Sequence, residues 1–195
     1  MLDLLALAVI IVWPVIPLFW IPVHGFSKVF RKLGLFSYIL PAVLWLPLAL
    51  FIFSQREFIL THHVYLPLSM KVFGALLLTM GAALQIWTVR LLSLKGIMGM
   101  PEVSAEVESR FVTGGPYKVV RHPTYLSHTM IFLGLFLMTG LYVMGLMTVV
   151  DLLLIILIVI PLEDRELSER FGKEYDEYRK NVPGFFPFTR SDKCK

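Results

Sequence analysis

LSHTMIFLGLFLMTGLYVMGLMTVVDLLLIILIVIPL, residues 126–162, is an apolar run of 37 residues that is broken only by His128 and Asp151. As a single helix it would be about 55 Å long, whereas the hydrocarbon core of a bilayer is about 30 Å thick. The run must therefore fold back on itself. This predicts a hairpin of two membrane helices rather than one long span.

The turn of this hairpin is expected where Gly140 and Gly145 interrupt the apolar run. Its two helices are predicted over about 124–139 and about 142–162. The first is short for a complete crossing, because about 20 apolar residues are needed to span a bilayer. The short connection makes the two helices antiparallel neighbours.

Three further apolar stretches, residues 4–23, 33–53 and about 64–89, are each long enough to cross a membrane. Together with the hairpin they predict an all-α integral membrane protein of about five transmembrane helices. The net charge of +4 therefore needs no nucleic-acid partner to explain it. We expect two N-terminal membrane helices in residues 1–63, and a functional core of three helices with the C-terminal segment in residues 64–195.

Basic residues are distributed unevenly between the two sides of the predicted bundle. One side carries Arg56 alone, the other carries sixteen Lys and Arg residues, and Lys71 lies near a helix end. The positive-inside rule then predicts an outside N-terminus and a cytoplasmic C-terminus. Asp3 and the lack of early basic residues predict that the first helix is retained rather than a signal peptide. The single cysteine, Cys194, predicts neither a disulfide framework nor a metal cluster.

Two groups of polar residues lie at the cytoplasmic end of the predicted hairpin. The group at the start of its first helix consists of Tyr117, Arg121, His122, Tyr125 and His128. Glu163 and Asp164 form the second group, at the end of its second helix. Because antiparallel neighbours bring these ends together, we expect the two groups to converge. Ionisable residues at a membrane edge are candidates for a functional site.

Each of these residues also has a structural interpretation when it is taken alone. Arg121 has the position of an interface anchor, and His122 that of a residue at a helix edge. Glu163 and Asp164 are compatible with the start of a solvated helix. The combination of both groups at one end of a hairpin favours a functional site. No nucleotide-binding glycine motif or zinc-ligand spacing is present.

The C-terminal region begins as an amphipathic pattern over residues 167–178, in which apolar side chains recur at helical spacing. It predicts that the last membrane helix runs on into the cytoplasm and stops before Pro183. The segment VPGFFPF, residues 182–188, follows and is expected to dip back into the membrane interface. These parts are predicted to form a roof over the hairpin. The alternative is a basic amphipathic helix that lies on anionic lipid.

The run GPYKVVRHPTYL, residues 115–126, is followed about 40 residues later by ED and then by FGKEYDEYRKNVPGFFPF, residues 171–188. This two-part pattern resembles the isoprenylcysteine carboxyl methyltransferase family and its prokaryotic relatives. The related phospholipid methyltransferases share the Arg-His-Pro-x-Tyr core and a later acidic pair. The resemblance covers about residues 80–190.

The resemblance implies an integral membrane enzyme that methylates a lipid or lipidated acceptor from S-adenosylmethionine and releases S-adenosylhomocysteine. The acceptor is expected to enter from the bilayer, and no metal is implied. Glu163 is implied to contact the cofactor from the last membrane helix. The other cofactor-binding residues that it implies are Ser109, Arg110, Phe111, Val112, Tyr117, His122, Pro123, Thr124 and Tyr125.

The sequence departs from the family pattern at two positions. Asp164 stands where the family usually has a second Glu, and Val159 stands where the eukaryotic prenylcysteine enzymes carry an Arg. A carboxylate acceptor is already ionised at neutral pH and needs only a cation, for which Arg121 is the candidate, so we expect Arg121 and Glu163 to be catalytic. An amine headgroup would instead need a base, for which Glu163, Asp164 or His122 are candidates.

By resemblance, the favoured acceptor is the carboxylate of an isoprenylated cysteine or of a similar lipid-tailed molecule, with a phospholipid amine as the alternative. The acceptor is expected to enter laterally, near residues 91–99, where apolar and small residues are mixed. Two further classes stay open, a membrane lipid oxidoreductase with a nicotinamide cofactor and a non-enzymatic membrane protein such as a small transporter. A transporter would be expected to place polar residues nearer mid-membrane, often with inverted repeats.

Overall fold

The computed structural model describes residues 1–104 and 111–187. Over these ranges the chain is helical, and the one β-type contact is an isolated bridge between His63 and Leu141. The helices are α1 (Leu2–Val12), α2 (Val15–Gly25), α3 (Ser27–Leu33), α4 (Ile39–Ser54), α5 (Arg56–Thr61), α6 (Leu68–Ile97), α7 (Met100–Val103), α8 (Pro123–Thr139), α9 (Tyr142–Leu154), α10 (Ile160–Phe171) and α11 (Lys173–Asn181).

Within the described ranges, four segments are long and apolar enough to cross a membrane. They are Leu2–Gly25, Ser27–Ser54, Leu68–Val103 and Tyr142–Phe171. These segments confirm the prediction of an all-α, multi-pass membrane protein. The remaining predicted span, α8, has 17 residues and is therefore only about 25 Å long. The count of five spans stays a prediction.

The predicted hairpin is formed by α8 and α9, and its turn lies at Gly140. This residue has a φ of +73°, and a Cβ there would lie 2.4 Å from the carbonyl oxygen of Val64. Both observations require glycine at this position. Gly145 was expected to share the turn but lies inside α9, where it packs against the ring of Phe136.

Helices α6 and α8 pack closely because glycines lie at their contact. A Cβ on Gly134 would lie 2.8 Å from the carbonyl oxygen of Gly74 and 2.8 Å from the backbone nitrogen of Leu78. A Cβ on Gly81 would lie 2.9 Å from the carbonyl oxygen of Ser127. Small residues let membrane helices approach to backbone contact. This packing holds α8, with its N-terminal polar residues, against α6.

Gly134→Ala is expected to destabilise the protein by about 1–3 kcal/mol, because the new methyl group would meet backbone atoms that cannot move aside. Thermal unfolding in detergent measures this as a drop of several degrees. Gly25→Ala is the matched control, since a Cβ at Gly25 meets nothing within 4 Å. Equal unfolding temperatures for the two variants would contradict the close packing of α6 and α8.

The last membrane helix continues beyond its apolar span, as was predicted. It continues from α9 through a π-helical turn at Ile155–Val159 and then through α10 to Phe171. Asp151 faces protein, as expected for a charged group in a membrane helix, because its carboxylate accepts a hydrogen bond of 2.7 Å from the indole of Trp13. The π-helical turn immediately precedes the acidic pair, a placement common near functional sites.

The C-terminal region differs from the single amphipathic helix that was predicted. Gly172, with a φ of +60°, separates α10 from α11, so the pattern over residues 167–178 is divided between two helices. After α11 the chain returns to the start of α8. There the backbone N–H of Arg121 donates to Pro183 at 2.8 Å, and that of His122 donates to Gly184 at 3.1 Å.

Candidate active site

A cavity of about 540 Å³ lies between the start of α8 and the length of α10, within the size range of small-molecule sites. The structure brings the two predicted polar groups together around it. Its polar and aromatic lining residues are Trp20, Gln85, Ser93, Lys95, Glu102, Phe111, Tyr117, Arg121, His122, Thr124, Tyr125, His128, Glu163, Arg170, Phe171, Tyr175 and Tyr178.

Asp164 is the most heavily bonded residue at this site. It is 3% exposed, and its Oδ2 accepts a hydrogen bond of 2.7 Å from Arg121. Its Oδ1 accepts from His122 at 2.8 Å and from the hydroxyl of Tyr175. A buried carboxylate with this many donors joins the elements that carry them. Asp164 therefore ties the start of α8 to α10 and α11.

The guanidinium of Arg121 is engaged by groups of the protein. Besides Asp164, it donates to the carbonyl oxygen of Val182 at 2.6 Å and to that of Arg179 at 3.1 Å. Its donors are therefore directed mainly at Asp164 and at the returning C-terminal segment. These contacts favour a positioning role for Arg121 over the predicted role as a cation that holds a substrate carboxylate.

His122 lies between both carboxylates of the acidic pair. Its Nε2 lies 2.8 Å from Asp164, and its Nδ1 lies 3.3 Å from Oε2 of Glu163. Burial lowers the pKa of His122, but the charge of Glu163 and the hydrogen bond with Asp164 outweigh burial and raise the pKa to about 9. His122 is therefore protonated at neutral pH, which disfavours it as the base considered for an amine acceptor.

The stability of the protein is expected to fall as the pH rises from about 6.5 to about 9. The pKa of His122 is raised on folding, so its contribution is complete below 6.5 and is lost as the pH passes 9. The free energy of unfolding falls by on the order of 3 kcal/mol at most across this pH range. The groups that face the imidazole are Glu163, Asp164, Arg121 and Tyr125.

Thermal unfolding across this pH window tests the expectation, with His122→Gln as the comparison. The variant should lose most of the slope between pH 6.5 and 9. Tyrosine ionisation does not interfere, because the ordinary pKa of tyrosine, about 10, lies above this window. An equal slope in both proteins would contradict the assignment.

Glu163 differs from Asp164 in having an oxygen without a hydrogen bond. Its Oε2 is buried and accepts no hydrogen bond of good geometry, although it lies 3.3 Å from Nδ1 of His122. Its side chain retains 21% exposure and lines the cavity. A buried carboxylate oxygen that accepts no hydrogen bond can bind a cation or a hydrogen-bond donor of a ligand.

Aromatic rings line one part of the cavity. Phe111 stacks on Phe171 with ring centroids 5.1 Å apart, and it meets Tyr178 edge-on at 5.3 Å. The hydroxyl of Tyr178 donates to the carbonyl oxygen of Tyr117 at 2.6 Å. Burial raises the pKa of Tyr178, so its hydroxyl stays protonated. Faces of this kind attract cations and adenine-like rings.

The other predicted cofactor-binding residues are placed as follows. Val112 and Thr124 line the cavity, whereas Pro123 is buried at the first position of α8 and is not a lining residue. Ser109 and Arg110 lie outside the described residues. The segment 91–99, where lateral entry was expected, contributes five lining residues, which are Leu92, Ser93, Lys95, Gly96 and Ile97. Ser93 has a φ of +66° and bends α6 at this point.

Several lining residues were not predicted as part of the site. Trp20 comes from α2 and Gln85 from α6, and no spacing in the sequence relates them to the Arg-His-Pro motif. Glu102 and Arg170 also line the cavity and form an ion pair of 3.0 Å. Arg170 also pairs with Glu166 at 2.8 Å, and Glu166 pairs with Arg31 at 2.9 Å.

The family model described as phospholipid methyltransferase matches residues 69–174, which is more than half of the chain. Methanethiol S-methyltransferase of Pseudomonas deceptionensis is 39% identical over 85 residues, which cover 43% of this chain and 31% of that protein. The nickel-cobalt-cadmium resistance protein NccN of Alcaligenes xylosoxydans xylosoxydans is 34% identical over 85 residues, which cover 44% of this chain and 39% of that protein.

Methanethiol S-methyltransferase 1 of Bradyrhizobium diazoefficiens is 37% identical over 83 residues, which cover 42% of this chain and 28% of that protein. The matched region spans less than two fifths of the length of each of these relatives. No solved structure matches the chain.

Proposed function

Because the chain belongs to the phospholipid methyltransferase family, we propose that it is an integral membrane methyltransferase that uses S-adenosylmethionine. The observation that carries the proposal is the carboxylate of Glu163, which lines the cavity and has an oxygen that accepts no hydrogen bond. S-adenosylmethionine supplies an electrophilic methyl group on a positively charged sulfur. Its product, S-adenosylhomocysteine, has lost that charge.

The residues of the cavity fit this cofactor. Glu163 offers a negative charge, and Trp20 and Tyr125 offer aromatic faces, all of which suit its cationic groups. Phe111 and Tyr178 supply rings for an adenine. Thr124 lies in the first turn of α8, a position at which a helix binds carboxylates. Holding donor and acceptor in one geometry accounts for much of the rate in reactions of this kind.

Two acceptors are compatible with the proposal. By resemblance, the first is the carboxylate of an isoprenylated cysteine or of a similar lipid-tailed molecule. Because Arg121 is engaged by Asp164, such a carboxylate would have to be held by another cation of the lining, such as Lys95. The second is a thiol, which the names of the methanethiol S-methyltransferases suggest. The phospholipid amine is the remaining alternative.

We further propose that the cavity faces the cytoplasm and that the N-terminus lies outside. The basic residues and the polar ends of α8 and α10 lie on the predicted cytoplasmic side. The methyltransferase core is proposed to consist of residues 64–195, with the two N-terminal helices in residues 1–63 supporting it through Trp20. A water-soluble cofactor would then reach the cavity from the cytoplasm.

Titration calorimetry with S-adenosylmethionine and the purified protein in detergent tests the proposal. Binding in the micromolar range is expected, with formation of S-adenosylhomocysteine when an acceptor is added. The acceptors for the assay are an S-farnesylated cysteine analogue, a short alkanethiol and phosphatidylethanolamine vesicles. A folded protein that binds a reduced nicotinamide and not S-adenosylmethionine would instead support the oxidoreductase class.

A further inference from the structure

The cavity extends inward along one face of α8, beyond the motif that carries the proposed cofactor site. Thr124, Tyr125, His128 and Ile131 all line it, at spacings that place them on one side of the helix. His128 lies about 7 Å further along the helix axis than Pro123, by the rise of 1.5 Å per residue. His128 and Ile131 are the lining residues of α8 that lie furthest from Pro123, and Gln85 contacts the neighbouring Ser127; together with the lining residue Ile16 we call them the inner subsite.

Gln85 is held in one orientation at the inner subsite. The buried hydroxyl of Ser127 donates to its amide oxygen and lies 2.7 Å from the carbonyl oxygen of Thr124. With the oxygen of Gln85 held by Ser127, its amide nitrogen is the group that remains for a ligand. A polar group of this kind, among apolar side chains, orients a ligand without supplying charge.

The imidazole of His128 has different surroundings from that of His122. Whereas His122 lies between two carboxylates, no ion pair of His128 is found in the part of the chain that the structure describes. Its ring packs edge-on against Phe132, with centroids 3.8 Å apart, and it lines the cavity. An imidazole without a carboxylate partner is neutral at rest, so one of its ring nitrogens has a lone pair that can accept a proton.

We propose that the inner subsite binds the methyl acceptor, that the acceptor is an uncharged thiol, and that His128 takes its proton. The proposal rests on the proposed function. An ammonium acceptor would be drawn to the carboxylates Glu163 and Glu102, and a carboxylate acceptor would need a cation, which none of the four residues of the inner subsite supplies. A thiol needs only an apolar space, a hydrogen-bond donor and a base.

The step balances without any further reactant. The S–H proton of the acceptor passes to a ring nitrogen of His128, and the sulfur electron pair forms a bond to the methyl carbon of the sulfonium donor. The old bond between that carbon and the donor sulfur breaks, and its electron pair stays on the donor sulfur. One positive charge leaves the donor and one arrives on His128, so the net charge of the filled cavity does not change. Glu163 can therefore stabilise the cavity before and after transfer.

The test measures S-adenosylmethionine binding by calorimetry, and S-adenosylhomocysteine formation with ethanethiol as the probe acceptor. His128→Gln is expected to bind S-adenosylmethionine like the wild type and to lower kcat on the order of 100-fold near neutral pH. Its rate should rise with pH as the thiol ionises by itself. His62→Gln is the control for loss of an imidazole, since His62 lies in the exposed outer loop.

Gln85→Leu is the second variant, expected to raise KM for ethanethiol about tenfold with little change in kcat. If His128→Gln fails to bind S-adenosylmethionine, the KM of Gln85→Leu for ethanethiol tests the inner subsite instead, and an unchanged KM would then overturn the proposal. An unchanged kcat and pH profile in His128→Gln would overturn the role of the imidazole. A wild type that binds S-adenosylmethionine but leaves ethanethiol unmethylated would overturn the thiol assignment. A wild type that does not bind S-adenosylmethionine would instead refute the proposed function.

Discussion

Glu163→Gln is expected to weaken S-adenosylmethionine binding on the order of 100-fold, because it removes a buried negative charge from a cationic ligand. The substitution keeps the size and shape of the side chain. Oε2 of Glu163 accepts no hydrogen bond of good geometry in the described part of the chain and lies 3.3 Å from Nδ1 of His122, so a cationic ligand would share this carboxylate with His122. Calorimetry of the purified variant in detergent measures the change.

Two comparisons separate loss of the charge from general damage to the protein. Glu169→Gln removes a carboxylate from the exposed pair with Arg165 and should bind S-adenosylmethionine like the wild type. Glu163→Asp keeps the charge but shortens the side chain, so we expect an intermediate affinity. Wild-type affinity in Glu163→Gln, with a normal unfolding temperature, would remove Glu163 from the proposed cofactor site.

The convergence of the two polar groups was predictable because it depends on local rules. An apolar run too long for one span has to turn, a glycine is the natural place for the turn, and an antiparallel hairpin brings its ends together. Gly140, and the approach of the start of α8 to the acidic pair in the first turn of α10, follow from these rules. The short length of α8 was likewise predictable, because the helix has to fit between the motif that ends near Thr124 and the turn at Gly140.

The role of Arg121 could not be predicted in the same way. Its partners include the carbonyl oxygens of Arg179 and Val182, which lie beyond the break at Gly172 between α10 and α11. Hydrogen bonds to backbone oxygens leave no pattern of residue types in a sequence. Trp20 and Gln85 could not be predicted as lining residues for a related reason, because their positions at the cavity depend on how α2 and α6 pack in the folded protein.

The difference between Glu163 and Asp164 was also invisible in the sequence, where they form one acidic pair. One carboxylate is fully bonded inside the protein, and the other retains an oxygen for a ligand. Adjacent positions on a helix point about 100° apart, so neighbouring residues face different surroundings. The structure thus separates a residue that holds the site together from one that is positioned to bind within it.

Asp164→Asn is expected to destabilise the folded protein by roughly 3–5 kcal/mol, because it leaves the buried guanidinium of Arg121 without its carboxylate and leaves His122 with Glu163 alone. Arg121 has 9% of its side chain exposed and His122 has 3%, so solvent cannot replace the lost carboxylate. Tyr175 would lose its charged acceptor as well. Thermal unfolding in detergent, measured together with the yield of monodisperse protein, reports the effect.

The controls for this variant come from the same C-terminal region. Asp176→Asn changes an exposed carboxylate that accepts a hydrogen bond of 2.7 Å from Ser168, and it should shift the unfolding temperature little. Asp164→Glu keeps the charge and restores the residue that the related family usually has, so its cost should be a fraction of that of Asp164→Asn. If Asp164→Asn unfolded at the wild-type temperature, the links from Arg121 and His122 to α10 would contribute little to holding the cavity. The roles of Arg121 and Asp164 as positioning residues would then have to be abandoned.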